Sequence, residues 1–501
     1  MRKLIIIAFE EYIRNYIGQN VFQGIADSNT WTACGADVKS KDKLAKLGDF
    51  VGEIHISEQK ITRFNFTALL LMYNHRRKSS SFHFRFKRNF RSLYFFNRNF
   101  GFGPFQKRQR SKNALGNNPT KEKHTLTIAT YLASVAIHAV RAVRDLPKFL
   151  LVTGICRSGL LPLTLKIIRD RTPVNPDLEK IISQVKPDLI IYPSSAFETL
   201  GDEIIRAAKK NGRAKTLYLI DNWDNLSSKS IFPENPDYLG VWGPQSLKQA
   251  IQIHGMAEKN IHILGTPRYE VYYDYAKRLK KRGAIRHPYV LFAGCAVDFE
   301  EISALAKLND VISEHSAALP KNLKILYRPH PWGNRSKYLR ALSQMSLKHV
   351  VVDPQIAAAE KMALQGTAFQ PDLDYYPQLL DNCLFVICPL STMIIETTIM
   401  KKMTLVLCYD DGVSITSPDV MLKNYLHFEK LENLGCCFFV HELEKIGEAF
   451  HGALGTKFRM NQDALNYYIH RDNLGYPKRL QMMLKAISKE LIGTQKITQV
   501  V

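Results

Sequence analysis

Cysteine is sparse and unpaired in this chain. Its eight cysteines, at 34, 156, 295, 383, 388, 408, 436 and 437, contain no C-x-x-C pair, and Cys388 and Cys408 sit inside apolar runs. That argues against a disulfide frame or a zinc site and for buried thiols in a reducing cytosol. Acidic residues are also short, 46 Asp and Glu against 69 Lys and Arg, for a net charge of +23. No stretch reaches ~18 apolar residues, so nothing is expected to span a membrane. The N-terminal run in MRKLIIIAFEEY stops at Glu10-Glu11, too early for a secretory leader, so a first strand and a cytoplasmic protein are expected. No Asp-x-Asp metal motif stands at a strand end, and the DLD at 372–374 reads better as the cap of a helix starting near Tyr375. No cofactor or metal is expected.

What is present fits a two-domain α/β protein. At 501 residues, 46% hydrophobic, with 22 prolines and 27 glycines, the chain is globular and long for one core. Strands are expected at 3–9, 149–152, 188–192 and 216–220, with helices at 10–26, 126–145, 177–185 and 202–211. The first helix would put Arg14 and Asn15 above the first strand. The charged stretch YAKRLKKRGAIR marks a link near 275–286. A second cycle follows, with strands near 289–293, 323–327, 349–352, 384–388, 404–408 and 437–440. Such alternation predicts two Rossmann-like domains, 1–272 and 285–480, facing across a cleft, with a C-terminal helix and tail over 478–501.

Two segments of the second cycle carry chemistry. In LFVICPLSTMIIETTIMKKMTLVL, an apolar strand ends at Ser391-Thr392 and a helical pattern starts, which makes an anion site from free N–H groups and the helix dipole. Thr392 and Glu396, four apart, share a helix face and suit a phosphate and a ribose hydroxyl. An ordinary βαβ unit with a Ser cap reads the same letters. In LKILYRPHPWG, a strand runs into Arg328, whose planar fork suits phosphate. Beside it His330 can donate to a departing oxygen, stiffened by Pro331. A plain turn is the alternative. Both clusters lie at carboxyl ends of parallel strands, where ligands bind. Gly294, after another strand, would let backbone approach a donor phosphate.

RPHP followed some sixty residues later by PLSTMIIET resembles the C-terminal half of GT-B glycosyltransferases of surface and capsular polysaccharide biosynthesis. The similarity is to enzymes with CMP- or CDP-activated donors: capsule Kdo transferases, bacterial sialyltransferases and CDP-glycerol glycerophosphotransferases. LIDNWDNLSSK and HILGTPRYEVY are similar to surface-carbohydrate biosynthesis proteins. The resemblance covers about residues 185–480 and implies that His330, Pro331, Ser391 and Thr392 hold the donor's phosphates. It implies metal-independent transfer of a sugar or polyol phosphate to a carbohydrate or lipid-linked acceptor.

Transfer needs a base to take the acceptor's proton. Glu10 or Glu11 after the first strand, Glu198, and Asp221 or Asp224 in DNWDN are the candidates, and the sequence leaves them open. Arg14, Asn222, Trp223, Asp224 and Asn225 offer an acceptor-binding set with an aromatic platform; DNWDN as an Asx-turn loop is the simpler alternative. His427 either reaches the cleft or is a satisfied loop residue. Residues 76–123 hold fourteen Lys and Arg against Glu122 alone, with nine phenylalanines in FHFRFKRNFRSLYFFNRNFGFGPF. This insertion, 75–124, suits an anionic membrane surface or a lipid-linked phosphate acceptor better than nucleic acid; an irregular insertion whose phenylalanines pack and whose charges are merely solvated is the simpler alternative. Two rivals remain: a nucleotide-sugar epimerase of the UDP-N-acetylglucosamine 2-epimerase type, which shares the architecture, and a basic nucleic-acid-binding protein.

Overall fold

A computed structural model of the chain describes residues 1–93, 128–195, 197–277, 285–296, 299–330, 335–363, 374–412, 414 and 417–498. Short, mostly apolar runs build two sheets in which every strand pair is parallel. The first comprises β1 (Lys3–Ile7), β2 (Thr30–Gly35), β3 (Asp49–Ile54), β4 (Leu189–Ser194), β5 (Lys215–Ile220), β6 (Tyr238–Val241) and β7 (Ile261–Ile263), in the order β3-β2-β1-β4-β5-β6-β7. The second comprises β8 (Tyr289–Ala293), β9 (Lys324–Arg328), β10 (Val350–Val352), β11 (Val386–Pro389), β12 (Thr404–Leu407) and β13 (Cys437–Val440), in the order β10-β9-β8-β11-β12-β13. Their unbroken apolar runs follow from burial on both faces: Leu4–Ile7, Leu189–Tyr192 and Val386–Cys388 expose nothing. Strand order reverses at β1/β4 in one sheet and at β8/β11 in the other, and it is outside the carboxyl ends at such a switch point that a doubly wound sheet opens a crevice. These are the two Rossmann-like domains that the alternation predicts.

Three local readings change. The expected helix over 10–26 is a three-residue helix, Glu10–Tyr12, passing into a π-helix, Ile13–Ile17. Wide turns of this kind collect at functional sites, and this one carries Arg14 and Asn15. The expected strand over 149–152 is part of a 30-residue helix, Ile128–Arg157, with Pro147 inside it. Leu150 and Leu151 are exposed there while Val152 is buried, a one-sided pattern that no central strand of this sheet would allow. Strands β2 and β3 went unread because TWTACG and DFVGEI interleave polar residues and glycine with their apolar ones.

Between β3 and β4 lies an inserted helical layer: Glu58–His75, Ser80–Asn89, Ile128–Arg157 and Leu161–Asp170. It has its own core, in which Leu70, Met72, Phe82, Phe86, Phe90 and Val152 are buried together. Residues 94–127, the remainder of the basic Phe-rich stretch, lie outside the described residues, as does Pro331. The C-terminal helix, Tyr476–Thr498, returns to the first domain, burying Tyr476, Leu480, Met483, Leu484 and Ile487 in its core.

Candidate active site

The two carboxyl edges face a shared cavity of about 770 Å³. The second sheet contributes Gly294 after β8, Arg328 and His330 after β9, and Ser391, Thr392 and Glu396 after β11. The first contributes Arg14 after β1, Asp221, Asn222, Trp223 and Asp224 after β5, and Arg268 after β7. Seven cations (Arg14, Arg85, Arg88, Arg91, Lys229, Arg268, Arg328) and four carboxylates (Glu11, Asp221, Asp224, Glu396) line it, so the cavity favours an anion.

At the β11 end, the helix that follows is only seven residues, Met393–Ile399, so its dipole is small and side chains carry more of any anion binding than the sequence suggests. Ser391 Oγ accepts from the Met393 N–H at 3.2 Å. Thr392 Oγ1 donates to Glu396 at 3.3 Å, so the shared helix face exists. The second Glu396 oxygen accepts from Tyr272 Oη, a side chain packed in the core of the second sheet. Both its oxygens are thus already engaged, which leaves less for a ribose hydroxyl.

Gly294 has a packing reason as well as its place in the cavity. A Cβ there would meet both Glu301 carboxylate oxygens at 2.8 Å and the His330 backbone nitrogen at 2.9 Å. Glu301 is buried beneath this turn, accepts from Tyr327 Oη at 2.5 Å and from Cys295 N at 3.2 Å, and burial pushes its pKa up to about 7. A carboxyl whose pKa is raised on folding stabilises the fold fully below its ordinary value of 4.5 and loses that contribution as pH rises through about 7. Thermal unfolding from pH 5 to pH 8 should therefore show stability falling across this window, and Glu301→Gln should flatten the fall; an unchanged slope would show that Glu301 does not titrate there.

The guanidinium of Arg328 is nearly fully buried, pairs with Asp353 at 2.5 Å and lies over the rings of Tyr375 (5.0 Å) and Tyr376 (4.5 Å). One edge of its fork is thus committed to Asp353, while its buried Nε has no hydrogen-bond partner among the described residues. Arg14 Nε is in the same condition. Unsatisfied buried donors of this sort are rare and call for an acceptor. Arg268 donates to Asn222 Oδ1 at 2.8 Å; burial opposes its charge, but Tyr269, Glu396 and Asp221 raise its pKa above the ordinary value. Burial and the charge of Arg268 together lower the pKa of Arg14. His330 is half-buried on the same wall.

Asp221 is buried and accepts from Asn15 Nδ2 at 3.1 Å. Burial raises its pKa, with Arg268 and Asn15 pulling the other way and Glu198 and Glu11 adding to the rise. A carboxylate made basic by burial inside a cavity is what a general base requires. The Glu10 expectation is corrected. Its carboxylate is absent from the cavity and accepts from Ser40 Oγ and from the Lys39 and Ser40 N–H groups at 3.0 and 3.3 Å, anchoring the next loop. Glu198 likewise turns inward, accepting from Ser194, Ser195 and the Phe197 N–H. Of the acceptor set, Asn225 is fully buried and its Oδ1 accepts from the Asn222 N–H at 2.6 Å, a bond that closes the loop on itself. Trp223 is a domain-joining ring rather than an open platform, packed on His427, Phe428 and Tyr468 at 5.5–5.7 Å. Asp224 pairs with Lys229 at 2.6 Å, and His427, bonded to Ser227 at 3.1 Å, has its pKa lowered by burial to about 4.

Sequence reading missed Arg268, Tyr272, Lys229 and the arginines of helix Ser80–Asn89. Arg85 and Arg88, with Arg91 just beyond, are spaced by three and line the cavity, while Phe82, Phe84, Phe86 and Phe90 are buried. That spacing in FHFRFKRNFRS was the available signal.

No family model matches the chain, and no curated protein matches it. Among solved structures it is similar to the UDP-GlcNAc 2-epimerase from Methanocaldococcus jannaschii, at 11% identity and TM-score 0.49 over 97% of this chain and 100% of that one. It is also similar to S. aureus MnaA, at 9% identity and TM-score 0.48 over 98% and 97% of the two chains. Acinetobacter baumannii MurG matches at 9% identity and TM-score 0.43 over 98% and 100%. The fold assignment rests on the strand order of the two sheets.

Proposed function

We propose that the cleft transfers a sugar or polyol phosphate from a nucleotide-activated donor to a surface-polysaccharide or lipid-linked acceptor. The observation that supports this reading is the distribution of charge around Asp221. Arg14, Arg268, Arg328 and His330 stand on walls formed by strand ends, and a second group stands on an inserted helix (Arg85 and Arg88) and just past its end (Arg91). Two cation groups suit two phosphorylated partners, a donor and an acceptor, with the base between the roles.

In this reading Asp221 removes the proton of an acceptor hydroxyl and becomes neutral. The acceptor oxygen forms a bond to the donor's anomeric carbon, or to phosphorus when a polyol phosphate moves. The bond to the nucleotide phosphate breaks with its electron pair, and the leaving charge is met by Arg268 and His330. CMP- and CDP-linked donors are favoured over UDP-linked ones by the resemblance carried by RPHP and PLST.

Thermal shift with CMP, CDP, UDP and GDP tests the donor. A nucleotide at about 100 times its Kd adds about 2.7 kcal/mol of stability, readily seen in Tm. Stabilisation by CMP or CDP is expected; stabilisation by none of the four would overturn the reading. Conversion of UDP-GlcNAc without any acceptor would favour the epimerase.

A further inference from the structure

The inserted helical layer carries an apolar surface that the cleft does not use. Helix Ile128–Arg157 packs on the layer through Phe149, Val152 and Cys156. Its other side presents Ile137, Val140, Val143, Leu146, Leu150 and Leu151, with Val140 and Val143 exposed by 70% and 73%. The next helix, Leu161–Asp170, adds Leu163 and Ile167, with Leu160 just before it, at one-face spacing. So many large apolar side chains on adjoining faces are unusual for a soluble surface and mark an interaction site.

Charge selects the occupant. Residues 135–171 contain seven Lys and Arg against two Asp. Arg141, Arg144 and Lys148 follow the exposed apolar residues along one side of the long helix. A two-fold contact with a second copy would bring these like charges together, whereas anionic lipid headgroups neutralise them. Geometry selects the mode. Among the described residues no single helix is long and apolar enough to cross a membrane, and Val135–Arg157 with Leu161–Asp170 passes only as a pair bent by 112°. Cations in mid-helix oppose burial in hydrocarbon but suit a helix lying in the interfacial plane.

We infer that the bent pair Ile128–Arg157 and Leu161–Asp170 docks the protein in-plane on an anionic bilayer. The docking surface is continuous with the cleft. Phe149 of the long helix meets the rings of Phe86 (tilted, 6.1 Å) and Phe90 (edge-to-face, 5.3 Å), and the same short helix turns Arg85 and Arg88 into the cavity. The short helix that carries Arg85 and Arg88 thus lies between the docking helix and the cleft, about 8–10 Å between axes. Docking stands independently of the donor or the reaction proposed above.

Sedimentation of the full chain with phosphatidylcholine vesicles, with and without about 30 mole per cent phosphatidylglycerol, tests it. Binding should be strong with the anionic lipid, weak without it, and reduced by salt. Val140→Glu and Val143→Glu should each lower partitioning about tenfold or more, from the lost apolar burial. Arg141→Ser and Arg144→Ser should each lower it roughly fivefold on anionic vesicles only. All four variants should keep the wild-type Tm, since the sites are exposed. Absence of binding to anionic vesicles would overturn the proposal, as would binding unaffected by the glutamates. A fall in Tm for the valine variants would show the face packed within the protein, and lipid-free dimers broken by the glutamates would show a second copy on it; either result overturns the proposal.

Discussion

Asp221→Asn should lower transfer by about 10²–10⁴-fold, the range for loss of a positioned general base, while leaving CMP and CDP binding near wild type. The substitution keeps shape and can still pair with Asn15, so folding should survive. Its effect would fall on the chemical step because the carboxylate must accept the acceptor's proton. The wild-type rate should rise with pH as Asp221 ionises, at a pH above the ordinary carboxylate range because burial raises its pKa. The variant should lose that limb. A variant that keeps wild-type turnover would place the base elsewhere, with Glu11 and Asp224 the remaining cleft carboxylates on the same edge.

Arg268→Ala and His330→Ala should each cost about 10²–10³-fold in transfer, the scale for one donor aimed at developing charge. The two should differ in a way that separates their roles. Arg268 lowers the pKa of Asp221, so its removal should move the rising limb of the pH–rate profile further up; His330→Ala should leave that limb in place. Arg268→Lys should restore part of the rate but not all, because a point charge does not replace a planar fork. Wild-type turnover in a folded His330→Ala protein would show that the loop after β9 is only a turn. An unshifted pH profile in Arg268→Ala would show that Asp221 is not the titrating base.

Strand ends were legible where burial is symmetrical. The strands of the second sheet are mostly apolar, β9 (KILYR) alone carrying a cation at each end, and Gly294, His330 and Ser391 stand just beyond three of them, at the carboxyl ends where parallel strands place ligands. Glu10 was misassigned because adjacent carboxylates after β1 look alike in sequence, whereas backbone direction sends one to the Ser40 loop and the other to the cavity. Arg268 was passed over because GTPRYE reads as a turn, and nothing local tells that its guanidinium reaches Asn222 some forty residues back. The arginines of Ser80–Asn89 were counted as bulk charge, although their spacing of three against buried phenylalanines is a helical face. Charge totals hid a pattern that periodicity would have shown.

The return of helix Tyr476–Thr498 to the first domain governs the order of biosynthesis. Most of the first sheet emerges early from the ribosome, yet Tyr476, Leu480, Met483, Leu484 and Ile487 belong to its core. All seven strands of that sheet are made by Ile263, more than two hundred residues before the helix that covers part of their core. Until the C-terminal helix docks, the nascent first domain carries an open apolar seam for chaperones to hold.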